Sequence, residues 1–198
     1  MREIVSIEKG CYYHIYNRGI NGEDIFKEAR NYEYFLKRWE KYIEPIAETY
    51  AYCLLKNHFH ALVYVKDEDV FVEIDNIKKQ LIPALQFSHF FNSYAQSINK
   101  AYSRTGALFE HPFKRKIIDN ETYFSKVIAY IHINPQKHGF IEDYRFYTHS
   151  SYGFITKDQP SFIKKDKLNS WFTGRKGFES FHQIFEEKQE DKFLYIED

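Results

Sequence analysis

Residues Tyr50 to Lys66 read YAYCLLKNHFHALVYVK. Apolar and aromatic side chains fill the stretch, Lys56-Asn57 interrupts it, and two histidines one residue apart follow the break. This predicts a β-hairpin, with strands over roughly Glu48 to Leu55 and His58 to Lys66 joined by a tight turn. An extended strand sends residues i and i+2 to the same face. His58 and His60 therefore project together, about 7 Å apart along the strand. Phe59 points the other way, into a core. Two parallel imidazoles make half of a divalent-metal site, since neutral imidazole is the commonest protein ligand for such ions. The same spacing also fits two polar residues on a half-exposed strand.

Upstream, Gly10 to Arg18 (GCYYHIYNR) reads as a first strand, with Tyr13, Ile15 and Asn17 on one face and Tyr12, His14 and Tyr16 on the other. Gly19 and Asn21-Gly22 close it with turn chemistry. Apolar residues recur at helical spacing from Ala29 to Ile43, and Pro45 stops that helix. Downstream of the hairpin comes an acidic stretch, KDEDVFVEID, expected as a loop. A longer helix follows around Pro83, with an apolar stripe of Leu85, Phe90, Phe91, Tyr94, Ile98 and Tyr102. Residues Ala107 to Asp119 (ALFEHPFKRKIID) read as extended, with Pro112 barring a central strand position. They carry the densest basic cluster, Lys114-Arg115-Lys116, beside Phe109 and Phe113.

A further helix begins after Asn120, a plausible N-cap, with Glu121 in its first turn. It is expected to end by Asn134, because Pro135 disfavours helical geometry in the residue before it. Phe124, Val127, Ile128 and Ile131 form its core stripe, and Tyr123, Tyr130 and Asn134 line the edge of that stripe. Their i, i+4 spacing makes Tyr130 and Asn134 neighbours. The last third predicts short helices over Thr148–Ile155, Asp166–Phe172 and Phe178–Lys188, then an acid-rich tail from Glu186 that frays. Strands and helices alternate around hairpins with no glycine-rich phosphate loop, which favours an α+β fold: an antiparallel sheet with helices packed on one face.

The bulk numbers narrow the function. Equal numbers of basic and acidic residues, 28 each, exclude nucleic-acid binding by overall charge and leave only local basic patches. Arg18, Lys114, Arg115 and Lys116 are the candidates for contact with a DNA backbone, although such a run also suits a plain solvated face. The 19 Phe and 17 Tyr can build a core and can stack on unpaired bases. Two cysteines make neither a disulfide framework nor a ligand cluster, which suits a reducing cytoplasm. No signal peptide and no membrane span is predicted, so the expected location is cytoplasmic.

If the helix bearing Tyr130 lies across the sheet face carrying His58 and His60, two imidazoles, the Asn134 amide oxygen and a phenol converge. Mixed N/O ligation with open positions suits Mg²⁺ or Mn²⁺ bound to a substrate phosphate. The metal would polarise a phosphoryl oxygen and hold the scissile bond in line with the phenol. Attack on a DNA phosphodiester would leave a phosphotyrosyl link, from which a second strand end could reverse the step.

The ordered set YYHIYNRG, NHFHALV, GALFEHPFKRK, YIHINP and SSY resembles the single-tyrosine HUH transposases, and more narrowly the REP-associated tyrosine transposases. It spans about Gly10 to Tyr152, roughly three quarters of the chain. The resemblance implies a ferredoxin-like core, taken as residues 1–152; it says little beyond Tyr152, where the residue pattern alone gives a helical extension over 153–198. It implies Mg²⁺ or Mn²⁺ dependence and cleavage of single-stranded DNA near a hairpin, by a monomer or homodimer. His58 and His60 match the HUH pair and Tyr130 the nucleophile. Asn134 stands where better-known relatives often carry glutamine, and it equally suits a helix cap. His149 precedes SSY where relatives often carry tryptophan. His14 could orient the ligands from behind, or be a hydrogen-bonded strand histidine. Two other readings stay open: a domesticated regulator that binds DNA hairpins without strand transfer, and a hydrolytic metallo-phosphodiesterase.

Overall fold

The structure, a computed structural model, describes residues 6–188. The part of the acidic tail beyond them lies outside the described residues. Strand β1 (Tyr12–Arg18) leads through helix α1 (Ala29–Tyr42) into the hairpin of β2 (Ala47–Leu55) and β3 (His58–Val65). A small hairpin, β4 (Phe71–Ile74) and β5 (Ile77–Gln80), precedes helix α2 (Pro83–Ala101). Strand β6 (Lys114–Ile118) and helix α3 (Glu121–Lys137) follow, and α4 (Tyr152–Thr156), α5 (Lys165–Trp171) and α6 (Arg175–Glu187) close the chain. The main sheet runs β2-β3-β1-β6, every neighbour antiparallel. With a helix crossing between β1 and β2 and another between β3 and β6, this is the ferredoxin-like order of a split βαβ pair.

Register fixes which side chains share a face. Tyr16 pairs with His60 across β1 and β3 and with Lys114 across β1 and β6. His14, Tyr16, His58, His60, Lys114 and Lys116 therefore lie on one face, and Tyr13, Ile15, Phe59 and Arg115 on the other. Helices α1 and α2 cover the Phe59 face, where Phe35, Trp39 and Phe91 bring ring centroids within 5.0, 6.1 and 5.9 Å of the Phe59 ring. Full burial of such a side chain contributes roughly 1.5–3 kcal/mol.

The fold class matches the sequence reading, and α1 and α2 share one face as expected; α3, however, covers the opposite face. Phe124 packs there against Tyr12 and Tyr50, with centroids 5.0 and 5.6 Å away. The reason is that β3 is buried without alternation from Phe59 to Val63, so both faces need cover. Helices α4 to α6 then close over the outer side of α3, which is buried continuously from Val127 to Pro135.

Four local expectations change. The acidic stretch after Lys66 is not all loop: Asp75 and Asn76 take φ of 52° and 62°, and that two-residue primed turn joins β4 to β5. Leu85 is 49% exposed, and Gln86 and Phe87 take the buried positions instead. Pro135 does not end α3. It sits in the last turn, where losing one amide costs a single hydrogen bond, and the helix stops at Gly139, whose φ is +71°. Gly139 N–H donates to Gln136 O at 3.0 Å and Phe140 N–H to Pro135 O at 2.8 Å, a Schellman motif. The helix expected from Thr148 starts only at Tyr152, because the preceding residues pair with the β2 edge: Leu54 N–H donates to His149 O and Ser151 N–H to Tyr52 O. No helix among the described residues is long and apolar enough to cross a membrane.

Candidate functional site

The strand histidines and the α3 edge meet. His58 Nε2 lies 3.3 Å from Asn134 Oδ1, and His58 Nδ1 lies 2.7 Å from Asn57 Oδ1. The rings of His58 and His60 have centroids 5.3 Å apart at 90°. His14, on β1, sets its Nε2 3.0 Å from His60 Nδ1. That engagement leaves Nε2 as the nitrogen through which His60 would ligate a cation, and it is the kind of outer contact that fixes a ligand's tautomer. His14, His60 and Asn134 are buried, while His58 is partly exposed.

The Tyr130 ring stands edge-on to His60, centroids 5.6 Å apart, and to His14, 6.1 Å apart. Lys137 Nζ lies 5.2 Å from the Tyr130 centroid. Tyr130 itself is only 3% exposed. Tyr123, on the same line of α3, lies under Lys116 Nζ at 5.1 Å, away from the histidine pair.

A cleft of about 340 Å³ opens beside the site, lined by residues that include Arg18, His58, His60, Lys114, His138 and Phe140. Tyr130 and Asn134 are not among its lining residues; they stand behind the histidines. Of the four basic candidates, Arg18 and Lys114 reach the cleft and Lys116 shares their face of the sheet. Arg115 does not join them. Strand alternation turns it to the opposite face, where it lies over the Phe113 ring at 4.7 Å. The flanking phenylalanines belong to the core: Phe109 and Phe113 pack on Phe91 at 5.1 and 5.0 Å.

Sequence reasoning missed three contributors. His138 stands edge-on to His58 at 5.1 Å, because α3 runs one turn past Pro135. Glu110 lines the cleft and accepts from Arg18 Nε at 2.6 Å. Beneath the site, Ser151, His132 and His182 form a fully buried chain: His132 Nε2 is 2.7 Å from Ser151 Oγ, and His132 Nδ1 is 2.8 Å from His182 Nε2. His182 Nδ1 donates to Phe178 O at 2.8 Å, ending the chain on a carbonyl. Burial holds both imidazoles below their usual range, His182 down to about 4. His132 lies inside YIHINP, two residues after Tyr130, and Ser151 inside SSY, but nothing in the spacing signalled His182, fifty residues on from His132.

The donor set fits a hard divalent cation. Asn57 Oδ1 accepts from His58 Nδ1–H, so His58 Nε2 carries a lone pair, and it faces the Asn134 carbonyl oxygen. Two facing acceptors suit a shared cation. Among the described residues no three His, Cys, Asp or Glu side chains gather as a ligand cluster, so the amide is needed as a third donor and substrate or water oxygens for the rest.

No family model matches the chain. A Haemophilus influenzae protein provisionally named REP-associated tyrosine transposase is 27% identical over 108 residues, which cover 53% of this chain and 58% of that protein. The chain thus matches under two thirds of that curated relative's length. A solved structure, of a REP-associated tyrosine transposase bound to a REP hairpin, superposes with a TM-score of 0.60 at 14% identity, covering 82% of this chain and 90% of the other. The chain is therefore similar in sequence to one protein, and in fold to another, that carry the family name its motifs resemble.

Proposed function

We propose that this chain, similar in motif order and in fold to the REP-associated tyrosine transposases, binds single-stranded or hairpin DNA and cuts and rejoins it through Tyr130. One observation carries the reading. His58 and His60 from a strand meet Tyr130 and Asn134 from a helix seventy residues on, beside a cleft that offers Arg18 and Lys114 to phosphates. Residues 1–152 would form the DNA-processing unit, with helices α5 and α6 of the extension bracing α3 from outside.

A Mg²⁺ or Mn²⁺ ion held by His58, His60 and Asn134 would supply a Lewis acid for a phosphoryl oxygen. The chain's own groups do the rest. Arg18 and Lys114 hold backbone phosphates and so fix the strand in the cleft. The Tyr130 oxygen attacks phosphorus, giving its proton to water, and the bond from phosphorus to the departing sugar oxygen breaks. That oxygen leaves as a hydroxyl after taking up a proton. The phosphotyrosyl ester keeps the bond energy, so the hydroxyl of a second strand end can displace Tyr130 and restore a phosphodiester. Free tyrosine has a pKa near 10, so positioning rather than a ready phenolate supplies most of the rate.

Tyr130 is 3% exposed and does not line the cleft, so cleavage carries a condition: the Tyr130 ring must turn, or α3 must shift, before the hydroxyl meets a phosphate. That burial favours a second reading, a regulator that binds DNA hairpins without strand transfer. Incubation with a single-stranded DNA hairpin and Mn²⁺ separates the two. The first reading expects a denaturation-resistant protein–DNA adduct that Tyr130→Phe removes. An adduct that survives in Tyr130→Phe moves the nucleophile elsewhere. Binding as tight in EDTA as in Mn²⁺, with intact DNA, establishes the regulator.

A further inference from the structure

We propose that Phe140 is a stacking platform for an unpaired nucleobase of the strand lying in the cleft, a role that rests on the DNA-binding reading above. Of the nine exposed large hydrophobic residues among those described, Phe140 alone lines the cleft. It is 41% exposed there, on a wall shared with His58, His138 and Lys114. The phenylalanines that a sequence reader would choose for this task, Phe109 and Phe113, are instead packed into the core.

Its backbone is fixed. Phe140 N–H donates to Pro135 O, Gly139 N–H donates to Gln136 O, and Gly139 takes the left-handed conformation that turns the chain off α3. The residue at this position of such a helix end ordinarily buries its side chain against the last turn. Phe140 keeps two fifths of its surface in water, inside a concavity, next to groups that attract phosphate. An aromatic ring in a cleft that also presents cations is what single-strand binding uses: phosphates go to the cations and a base to the ring. Every base has a π-face, so the platform is tolerant of sequence. In a duplex the bases are already stacked on one another, so the same ring discriminates against paired DNA.

The test uses the full chain in EDTA, so that no strand is cut, and fluorescence anisotropy with a short single-stranded oligonucleotide. Phe140→Ala should weaken binding about tenfold, equivalent to roughly 1.4 kcal/mol, and leave duplex binding unchanged. Phe140→Trp should bind as the native chain does, whereas Phe140→Leu should behave like the alanine variant. Abasic sites placed one at a time should include one position that weakens the native chain similarly and has no further effect on Phe140→Ala. Losses that add at every abasic position, or native-like binding by Phe140→Leu, would overturn the platform while leaving DNA binding intact. Failure of the native chain to bind the oligonucleotide at all would remove both this role and the reading beneath it.

Discussion

His58 Nε2 and Asn134 Oδ1, 76 residues apart in sequence, stand 3.3 Å from each other, within hydrogen-bonding distance. Asn57 Oδ1 lies 2.7 Å from the other ring nitrogen, His58 Nδ1. An imidazole nitrogen and an amide oxygen so placed can hold a proton or a cation between them. Asn134→Asp, which puts a charged oxygen in the same place, is therefore expected to tighten Mn²⁺ binding by about tenfold, the effect of roughly one unit of added charge stabilisation. Without metal the same variant should lose about 1–3 kcal/mol, because a buried carboxylate replaces a buried amide. Calorimetric titration with Mn²⁺ and urea unfolding in EDTA read the two effects. Unchanged Mn²⁺ affinity would reduce Asn134 to a residue of the helix end.

Under the proposed function Glu110 would compete with a DNA phosphate for Arg18. Its carboxylate accepts from the guanidinium inside the cleft where phosphates would bind. The Arg18 side chain is largely exposed, so this pair adds little stability. Glu110→Gln should leave the unfolding midpoint near native, raise single-strand affinity several-fold, and steepen the plot of log affinity against log salt by about 0.7 for one further phosphate contact. Equal slopes for the two proteins would mean that Arg18 never meets a phosphate.

The β2–β3 hairpin and the α3 edge were legible for a physical reason: alternation along a strand and the i, i+4 repeat along a helix survive in sequence without help from the rest of the chain. Those two periodicities sufficed to pair His58 with His60 and Tyr130 with Asn134, and the motif order supplied their meeting. What was hidden depends on contacts distant in sequence. Arg115 looked continuous with Lys114 and Lys116, yet β6 adopts strand alternation and turns it away. His138 became visible only once α3 continued through Pro135 to Gly139, a turn beyond where proline usually permits. Glu110 carried no motif of its own, and its place in the cleft comes from the chain turning beside β1, where Glu110 N–H donates to Arg18 O. The burial of Tyr130 was equally illegible, since its ring packs against His14 and His60, which lie far from it in sequence and meet it only through the fold of the sheet.

Gly139 offers a stability test with a clean cause. Its φ is +71°, and a Cβ built there would meet nothing within 4 Å. Gly139→Ala should therefore cost about 1–2 kcal/mol from backbone conformation alone, read as a lower urea midpoint with an unchanged slope. Because the same residue sets where His138 and Phe140 stand, single-strand affinity should fall with it. A variant as stable as native would show that the helix end is not held in the left-handed turn.

His182 should make stability pH-dependent in a defined direction. Its Nδ1–H is committed to the Phe178 carbonyl, so Nε2 can only accept, and it accepts from His132 Nδ1–H. His132 Nε2 lies 2.7 Å from Ser151 Oγ, and burial keeps both imidazoles neutral in the fold. The groups facing His182 are His132 and the phenols of Tyr144 and Tyr152, both held protonated by burial. None offers a negative charge to an imidazolium. Burial pushes His182 down to about 4, the Phe178 carbonyl opposing only in part, against about 6.5 in an unfolded chain. Between those values the unfolded state binds the extra proton, so this contribution is fully present above about pH 6.5 and is lost as pH falls toward about 4. The full span is worth about 3 kcal/mol. His182→Leu should lower stability at neutral pH by about 1–3 kcal/mol, since His132 Nδ1–H loses its acceptor. It should also flatten the fall in stability on acidification relative to native protein. Comparing the two proteins at each pH cancels the carboxylates they share, including Glu44, whose burial raises its pKa and so acts with the opposite sign. Parallel curves for the two proteins would show that the buried chain of Ser151, His132 and His182 takes up no proton on unfolding, and that acid weakens α3 by some other route.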